Sequence, residues 1–126
     1  MPELSVEPIQ HESFALVPSY QAPQLIVQFS GTGDLDAVDV LAQYLPRLHG
    51  ACDELGATEV VFDFRALLFM NSSCFKGFVT FIDQARSSNA AYRIRFITSA
   101  KHHWQRRSLE ALRRLALGVV TIQPEE

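Results

Sequence analysis

The side chains best able to do chemistry stand together in one polar run, Asn71-Ser72-Ser73, which Cys74 follows directly. Asn and Ser are preferred at the first position of a helix, because their side chains accept a hydrogen bond from a free backbone N–H group. A serine hydroxyl there also lies beside the positive end of the helix dipole, where a phosphate with about two negative charges is tolerated. The run therefore fits a helix cap or a phosphate acceptor.

Catalysis is the remote alternative for the same residues. Ser72 and Cys74 are possible nucleophiles, and His49, His102 and His103 are possible bases. A covalent mechanism also needs a third group to orient the base, and the Gly-x-Ser-x-Gly elbow is absent around Ser72. A cysteine on an apolar helix is more often a small core residue. We therefore expect a protein that is not an enzyme.

Metal and cofactor binding have little support in the sequence. His102 and His103 are adjacent, so on a helix their side chains diverge by about 100° and cannot hold one metal ion together. The segment Gly31-Thr32-Gly33 lacks the Gly-Lys-Ser/Thr ending of a phosphate-binding loop. We expect no metal and no cofactor.

Charge is distributed unevenly along the chain. Residues 101 to 114 contain five basic residues and one acidic residue, a net charge of +4, whereas the remaining six basic and thirteen acidic residues give −7. Arg106, Arg107 and Arg113 form a possible basic docking face, although a basic helix is often only solvated. Because the domain is acidic overall, we expect no nucleic-acid partner.

The elements that position these residues alternate between strands and helices. Val60, Phe62 and Phe64 belong to an apolar run typical of a buried strand, and Arg93 and Arg95 alternate with apolar residues, so they should share one uncovered sheet face. Trp104, Ala111, Leu112 and Leu115 are expected to point inward from the last helix, while Pro18 and Pro23 should bracket an early turn. Strands are predicted at 13–17, 24–30, 59–64, 92–98 and 119–122, and helices at 35–55, after 71–73 and at 102–116.

Length and composition set the class of protein. A chain of 126 residues, 48% hydrophobic and 20% charged, is typical of one globular domain. We expect a flexible arm over residues 1–12 and a single domain over 13–126. The first residues do not resemble a signal peptide, no apolar stretch approaches membrane-spanning length, and there are only two cysteines, which favours a cytoplasmic protein without membrane contact.

Three motifs resemble the STAS family, which comprises anti-sigma-factor antagonists and related domains of sulphate transporters. Val60-Val61-Phe62-Asp63-Phe64, followed by Phe69-Met70-Asn71-Ser72-Ser73, is similar to the family's buried strand, short loop and Asp-Ser-Ser/Thr-Gly helix start. Gly31-Thr32-Gly33-Asp34-Leu35-Asp36 resembles its Gly-x-Leu-Asp segment, and Trp104-Gln105-Arg106-Arg107-Ser108-Leu109 resembles a divergent branch of bacterial regulators. The resemblance implies an α/β fold, with a mixed, mostly parallel sheet of four or five strands and helices chiefly on one face.

The resemblance also implies a function. In the family, the first serine of the motif is phosphorylated by a partner kinase of the anti-sigma type, and a matching phosphatase removes the phosphate. That serine corresponds to Ser72, with Ser73 as the fallback, and Asn71, Ser72, Ser73 and Lys76 are the implied partner-binding residues. Unphosphorylated protein would bind its partner and phosphorylated protein would release it.

Two departures from the family motif keep a second hypothesis open. Asn71 stands where the family has Asp, and Cys74 stands where it has Gly. The chain is therefore either a partner-switching regulator controlled through Ser72 or a constitutive interaction module whose serine run is purely structural. A homodimer is compatible with both hypotheses.

Overall fold

The fold is a six-stranded sheet with three α-helices, seen in a computed structural model that describes residues 6–11, 13–87 and 92–125. The strands are β1 (Ile9–His11), β2 (Phe14–Gln21), β3 (Gln24–Gly33), β4 (Glu59–Met70), β5 (Arg93–Ser99) and β6 (Val120–Glu125). The helices are α1 (Leu35–Leu55), α2 (Phe75–Ser87) and α3 (His103–Leu115), and a short 3-10 helix over Ser72–Cys74 precedes α2.

Strand order in the sheet follows the sequence, from β1 at one edge to β6 at the other. β1, β2 and β3 pair antiparallel, and β3 to β6 pair parallel. Right-handed crossovers that always step in the same direction place their helices on the same face of a sheet. The predicted α/β class, with a mostly parallel sheet and helices chiefly on one face, is confirmed.

The sheet has six strands, whereas the sequence predicted four or five. The additional strand is β1, which lies within the segment expected to be a flexible arm and pairs with Phe14–Leu16 of β2. Val6, just before β1, is buried in the core. Three residues are too few to show an alternating pattern, so β1 left no signal in the sequence.

Phenylalanine rings fill the core between the sheet and the helices. Phe62 and Phe64 of β4 are fully buried, as predicted, and pack against Phe29 of β3 and Phe78 of α2. Phe96 of β5 stacks on Phe62 with ring centroids 5.3 Å apart. The edge-to-face and stacked contacts fix β4 at the centre of the domain.

The face of the sheet opposite the helices is lined by paired polar groups, and we call it the open face. Arg95 contacts Glu59 at 2.9 Å and donates to Gln123 at 2.6 Å, while Gln24 donates to Glu59 at 2.7 Å. Arg93 lies on the same face, so the predicted uncovered side with both arginines is confirmed. On this face, Gln24, Glu59, Arg95 and Gln123 therefore form one polar network across neighbouring strands.

Two sequence expectations about element interiors are wrong. Pro18 lies inside β2 and not in a turn. Pairing of β2 with β1 stops at Leu16, so no strand lies beside Pro18 on that side, and its missing N–H group costs no hydrogen bond there. In α3, Ala111 and Leu115 are exposed, and the inward residues are Gln105, Leu109 and Leu112. Relative to the prediction, α3 is rotated about its axis so that Gln105 points inward.

Candidate docking site

The serine run lies at the carboxyl end of the parallel strands. β4 continues through Met70, so the segment predicted as a loop is a strand extension, and Met70 pairs with Gly33 at the end of β3. The N–H group of Asn71 donates to the Gly33 carbonyl at 2.7 Å. Binding sites of parallel α/β sheets form at this edge, where strands lead into loops and helix starts.

Asn71 caps the helical segment that follows. Its Oδ1 atom accepts a hydrogen bond from the Ser73 N–H group at 2.9 Å, and its carbonyl accepts one from Cys74 at 2.9 Å. The 3-10 helix then leads directly into α2. The capping role expected of an Asn at this position is confirmed, and Asn71 is the residue that fills it.

The predicted site residues are brought together at the surface. Ser72 is exposed, Asn71 and Ser73 are half-buried, and Lys76 is exposed one helical turn beyond Ser72. Lys76 is the second residue of α2 and follows Ser72 by four residues along the helical segment, so the two side chains share one side of that segment. Exposure makes Ser72 accessible to another protein.

Cys74 faces inward and is not a candidate nucleophile. Its side chain is 1% exposed, and its Sγ atom lies 3.6 Å from the Asp34 carbonyl and 3.9 Å from the Gly33 carbonyl. Burial raises the pKa of the Cys74 thiol, although a backbone hydrogen bond with Asn71 works in the opposite direction. A protonated, enclosed thiol is inert, so Cys74 is a core residue.

Exposed apolar side chains surround the same end of the sheet. Leu68 and Phe69 at the end of β4 are 58% and 46% exposed, and Leu35 at the start of α1 is 66% exposed. Phe69 also lies 6.3 Å from Trp104 of α3, measured between ring centroids. Together with Asn71, Ser72, Ser73 and Lys76, these apolar residues form what we call the serine-turn surface. Large apolar side chains at a polar helix start favour an interaction site.

α3 fixes the shape of this surface through two side chains that the sequence did not reveal as functional. Pairing between β4 and β5 ends at Asp63 and Ile97, so beyond that point the β4 carbonyls lack a strand partner on that side. The Gln105 Nε2 group donates to the carbonyls of Phe64 at 2.7 Å and Leu67 at 2.8 Å. The Trp104 Nε1 group donates to the Leu68 carbonyl at 2.8 Å.

Gln105 also connects this extension to β5. It is fully buried, and its Oε1 atom accepts the Ser99 N–H group at 3.1 Å. A buried polar side chain is stable only when its donors and acceptors are satisfied, and all of these bonds are to backbone groups. The sequence signal for the burial of Gln105 was its helical spacing with Leu109 and Leu112, which places a polar residue on an otherwise apolar stripe of α3.

The predicted basic face of α3 is only partly free. Arg106 and Arg107 are exposed, whereas Arg113 forms an ion pair with Glu110 one turn earlier through Nε at 3.0 Å and through Nη2. Hydrogen bonding to Arg113 lowers the pKa of the Glu110 carboxyl, so it remains charged and offsets one arginine. Arg106 and Arg107 therefore carry the unpaired part of the predicted face.

Neither a metal site nor a membrane helix is present in the described part of the chain. Residues 6–11, 13–87 and 92–125 contain no group of three or more His, Cys, Asp or Glu side chains that could hold a metal ion. Within the same ranges, no helix is long and apolar enough to span a membrane.

Solved structures share this fold. An anti-sigma factor antagonist from Mycobacterium paratuberculosis matches with a TM-score of 0.67 and 14% identity, over 90% of this chain and 87% of that chain. The anti-sigma factor antagonist SpoIIAA in its unphosphorylated form matches with a TM-score of 0.58 and 15% identity, over 90% of each chain. A chain in the complex of the diguanylate cyclase SiaD with its activator SiaC from Pseudomonas aeruginosa matches with a TM-score of 0.61 and 17% identity, over 94% of this chain and 98% of that one.

These matches establish the class of fold. No family model and no curated protein matches the sequence. At identities of 14% to 17%, structural likeness shows the fold and leaves partners and regulation to be tested. The chain has the STAS-like fold of anti-sigma factor antagonists, as the residues around Asn71-Ser72-Ser73 predicted.

Proposed function

We propose that the protein is a cytoplasmic regulatory domain that binds another protein through the serine-turn surface and catalyses no reaction. The observation that carries the proposal is the position of Ser72, exposed at a capped helix start and accompanied by exposed Leu68 and Phe69. One solved structure of the same fold is an anti-sigma factor antagonist, and another comes from the complex of a diguanylate cyclase with its activator. Both support a protein-binding role.

Reversible phosphorylation of Ser72 is the proposed control. A kinase of the anti-sigma type would add the phosphate and a matching phosphatase would remove it. The hydroxyl is exposed, and the turn is held by Asn71, so added charge requires no rearrangement of the backbone. Lys76 supplies a positive charge one turn away. A partner bound to Leu68 and Phe69 would meet a new, doubly charged phosphate on the serine-turn surface.

The replacement of the family Asp by Asn71 is compatible with this control. An amide oxygen accepts the Ser73 N–H group just as a carboxylate oxygen would, so the cap is retained. Compared with the Asp of the motif, the Asn71 amide also lacks one negative charge beside Ser72. The constitutive module remains the second candidate, because the same neutral residue could equally belong to a kinase-independent surface.

The test is recovery of the partner from the native host with four forms of the protein. Ser72→Asp should recover at least about tenfold less partner than wild type, whereas Ser72→Ala should recover a similar amount. Ser19→Asp is the matched control, because Ser19 is an exposed serine on the open face. Thermal unfolding of Ser72→Asp should remain close to that of wild type, since a negative charge at a helix start is tolerated.

Phosphopeptide mapping of protein purified from the same host completes the test. Phosphate on Ser72 supports the switch, and phosphate on Ser73 alone identifies Ser73 as the phosphoacceptor. If both serines are unmodified and Ser72→Asp recovers as much partner as Ser19→Asp, the constitutive module is the correct description.

A further inference from the structure

A groove of about 770 Å³ runs between α3 and the edge strand β6, on the side of α3 away from the serine-turn surface. Its volume is within the range of specific binding sites in proteins. Trp104 of α3 contacts Leu68 and Phe69 on one side, whereas His103 and Arg106 line the groove. The groove is therefore a second surface, separated from the first by α3 itself.

The helical wall of the groove is basic. His103, Arg106, Glu110 and Arg113 recur at spacings of three and four residues, so they form one stripe along α3 that faces the groove. Glu110 forms its ion pair with Arg113, and the charge of Arg106 also helps to lower the pKa of the Glu110 carboxyl, so one carboxylate is shared by two arginines. The wall thus offers two guanidinium groups against one carboxylate, together with the imidazole of His103, to an acidic ligand.

The floor of the groove is apolar and belongs to the free edge of the sheet. Val120, Ile122 and Pro124 line it, and at its end a Cβ atom on Gly118 would have no heavy atom within 4 Å apart from those of Gly118 and its two chain neighbours. The Ile94 N–H group donates to the Val119 carbonyl, and bonding residues alternate along a strand. This alternation turns the backbone N–H and C=O groups of Ile122 away from β5, to the free edge of the sheet beside the groove.

We propose that this groove binds an extended acidic segment of a partner protein. An extended chain can donate to and accept from Ile122 at the sheet edge, place apolar side chains on Val120 and Pro124, and direct carboxylates to Arg106. A helix has no free backbone groups to offer this edge. Pro124 lacks an N–H group, so a docked chain can pair fully only with the part of β6 before Pro124, which disfavours the full-length edge-to-edge pairing of β6 with a second copy.

The wider charge distribution selects the same occupant. Residues 101 to 114 carry +4 while the remainder of the chain carries −7, so an acidic ligand is attracted to α3 and repelled by other surfaces. The proposal does not depend on phosphorylation of Ser72, because none of the groove residues belongs to the serine-turn surface.

The experiment selects ligands without assuming their sequence. The full chain is used to select binders from a displayed library of short random peptides, and a selected peptide is synthesised with a fluorescent label. Affinity is measured by fluorescence anisotropy for wild type, Arg106→Gln, Arg106→Glu and Arg47→Gln. Arg47 is the matched control, because it is an exposed arginine on α1 and its removal changes the net charge by the same amount as Arg106→Gln.

The proposal expects enrichment of peptides that combine Asp or Glu with apolar residues. Arg106→Gln should weaken binding about fivefold, Arg106→Glu by roughly tenfold or more, and Arg47→Gln by less than about twofold. Raising the salt concentration should weaken binding to wild type and reduce the difference between the variants. In NMR titrations, the amides of Gly118 and Ile122 should shift, whereas that of Ser72 should not.

Three results would overturn the proposal. The first is selection of peptides without acidic bias, and the second is equal affinity of Arg47→Gln and Arg106→Glu. The third is concentration-dependent self-association of wild type that Arg106→Glu abolishes, which would make a second copy the occupant. Because the Ser72 variants are left out of this assay, its failure says nothing against the proposed switch.

Discussion

The two ends of β4 are held in place by different kinds of interaction. At the amino end, Glu59 pairs with Arg95 and accepts from Gln24, so side chains of neighbouring strands satisfy one another. At the carboxyl end, Gln105 and Trp104 donate to backbone carbonyls, and the side chains of Leu68 and Phe69 are exposed to solvent. Polar side chains at the amino end already have partners. At the carboxyl end, the backbone is held by hydrogen bonds from α3, and the exposed side chains are available to another protein.

This difference separates a structural surface from a binding surface. Covering the paired side chains around Glu59 would remove water from charges that have no further partner to gain, which costs free energy. Covering Leu68 and Phe69 removes apolar area from water, and their backbone is already ordered by α3. A partner therefore gains more at the carboxyl end of β4 than on the open face.

Removing the support of the carboxyl end should have the largest effect on stability. Gln105→Leu leaves two buried carbonyls and one N–H group without a partner, so the free energy of unfolding should fall by about 3 kcal/mol. Urea denaturation measures this change. Gln28→Leu, at an exposed position on the open face, is the control and should change stability by less than about 0.5 kcal/mol. Equal losses in the two variants would contradict the supporting role of Gln105.

The apolar part of the docking surface is tested by a matched pair of substitutions. Leu68 and Val17 are exposed to similar extents, 58% and 45%, but Val17 lies on the open face. Leu68→Ser should reduce recovery of the partner about tenfold, because exposed apolar anchors contribute most of the binding free energy. Val17→Ser should leave recovery within about twofold of wild type. If Val17→Ser were the more damaging change, the partner would bind the open face.

The helix cap gives a smaller effect on stability. Asn71→Ala removes the acceptor for the Ser73 N–H group and should lower the free energy of unfolding by about 1 kcal/mol. Asn71→Asp keeps an acceptor in the same place and should be as stable as wild type. Thermal unfolding of both variants tests the assignment, and equal stability of Asn71→Ala and wild type would place the cap elsewhere.

The pH dependence of stability tests the open face, with the smallest effect. Burial works to raise the pKa of Asp63, but hydrogen bonds from Arg65 and its charge hold that pKa below its ordinary value. The resulting stability is fully present above the ordinary Asp pKa of about 3.9 and is lost as the pH falls through the lower folded value. Asp63→Asn should therefore flatten the acid side of the profile of unfolding free energy against pH.

Much of the fold could be predicted from local patterns. The period-two alternation of Ile94 and Phe96 with Arg95 identified β5 and its uncovered face, and the helical spacing of apolar residues gave the bounds of α1. These patterns work because one face of each element is buried. Asn71 was likewise recognisable as a cap, because capping depends on residues adjacent in sequence.

The remainder depended on contacts between distant segments. β4 continues past Phe64 with one extra residue at each of two irregularities opposite β3, and no local pattern marks where pairing with β5 stops. Gln105 is buried because carbonyls about forty residues earlier need donors, a requirement that only the assembled sheet creates. The exposure of Leu68 and Phe69 follows from the same extension.

The strictly sequential order of strands also bears on how the domain is made. Each strand from β2 onward pairs with the one synthesised just before it, so a chain emerging from the ribosome can add every new strand to an existing edge. Pairing with neighbours in sequence keeps the loops to be closed short, which favours rapid folding. At β6 the sheet edge lacks the N–H donor of Pro124, so an added strand can form a full set of backbone hydrogen bonds only with the part of β6 before Pro124.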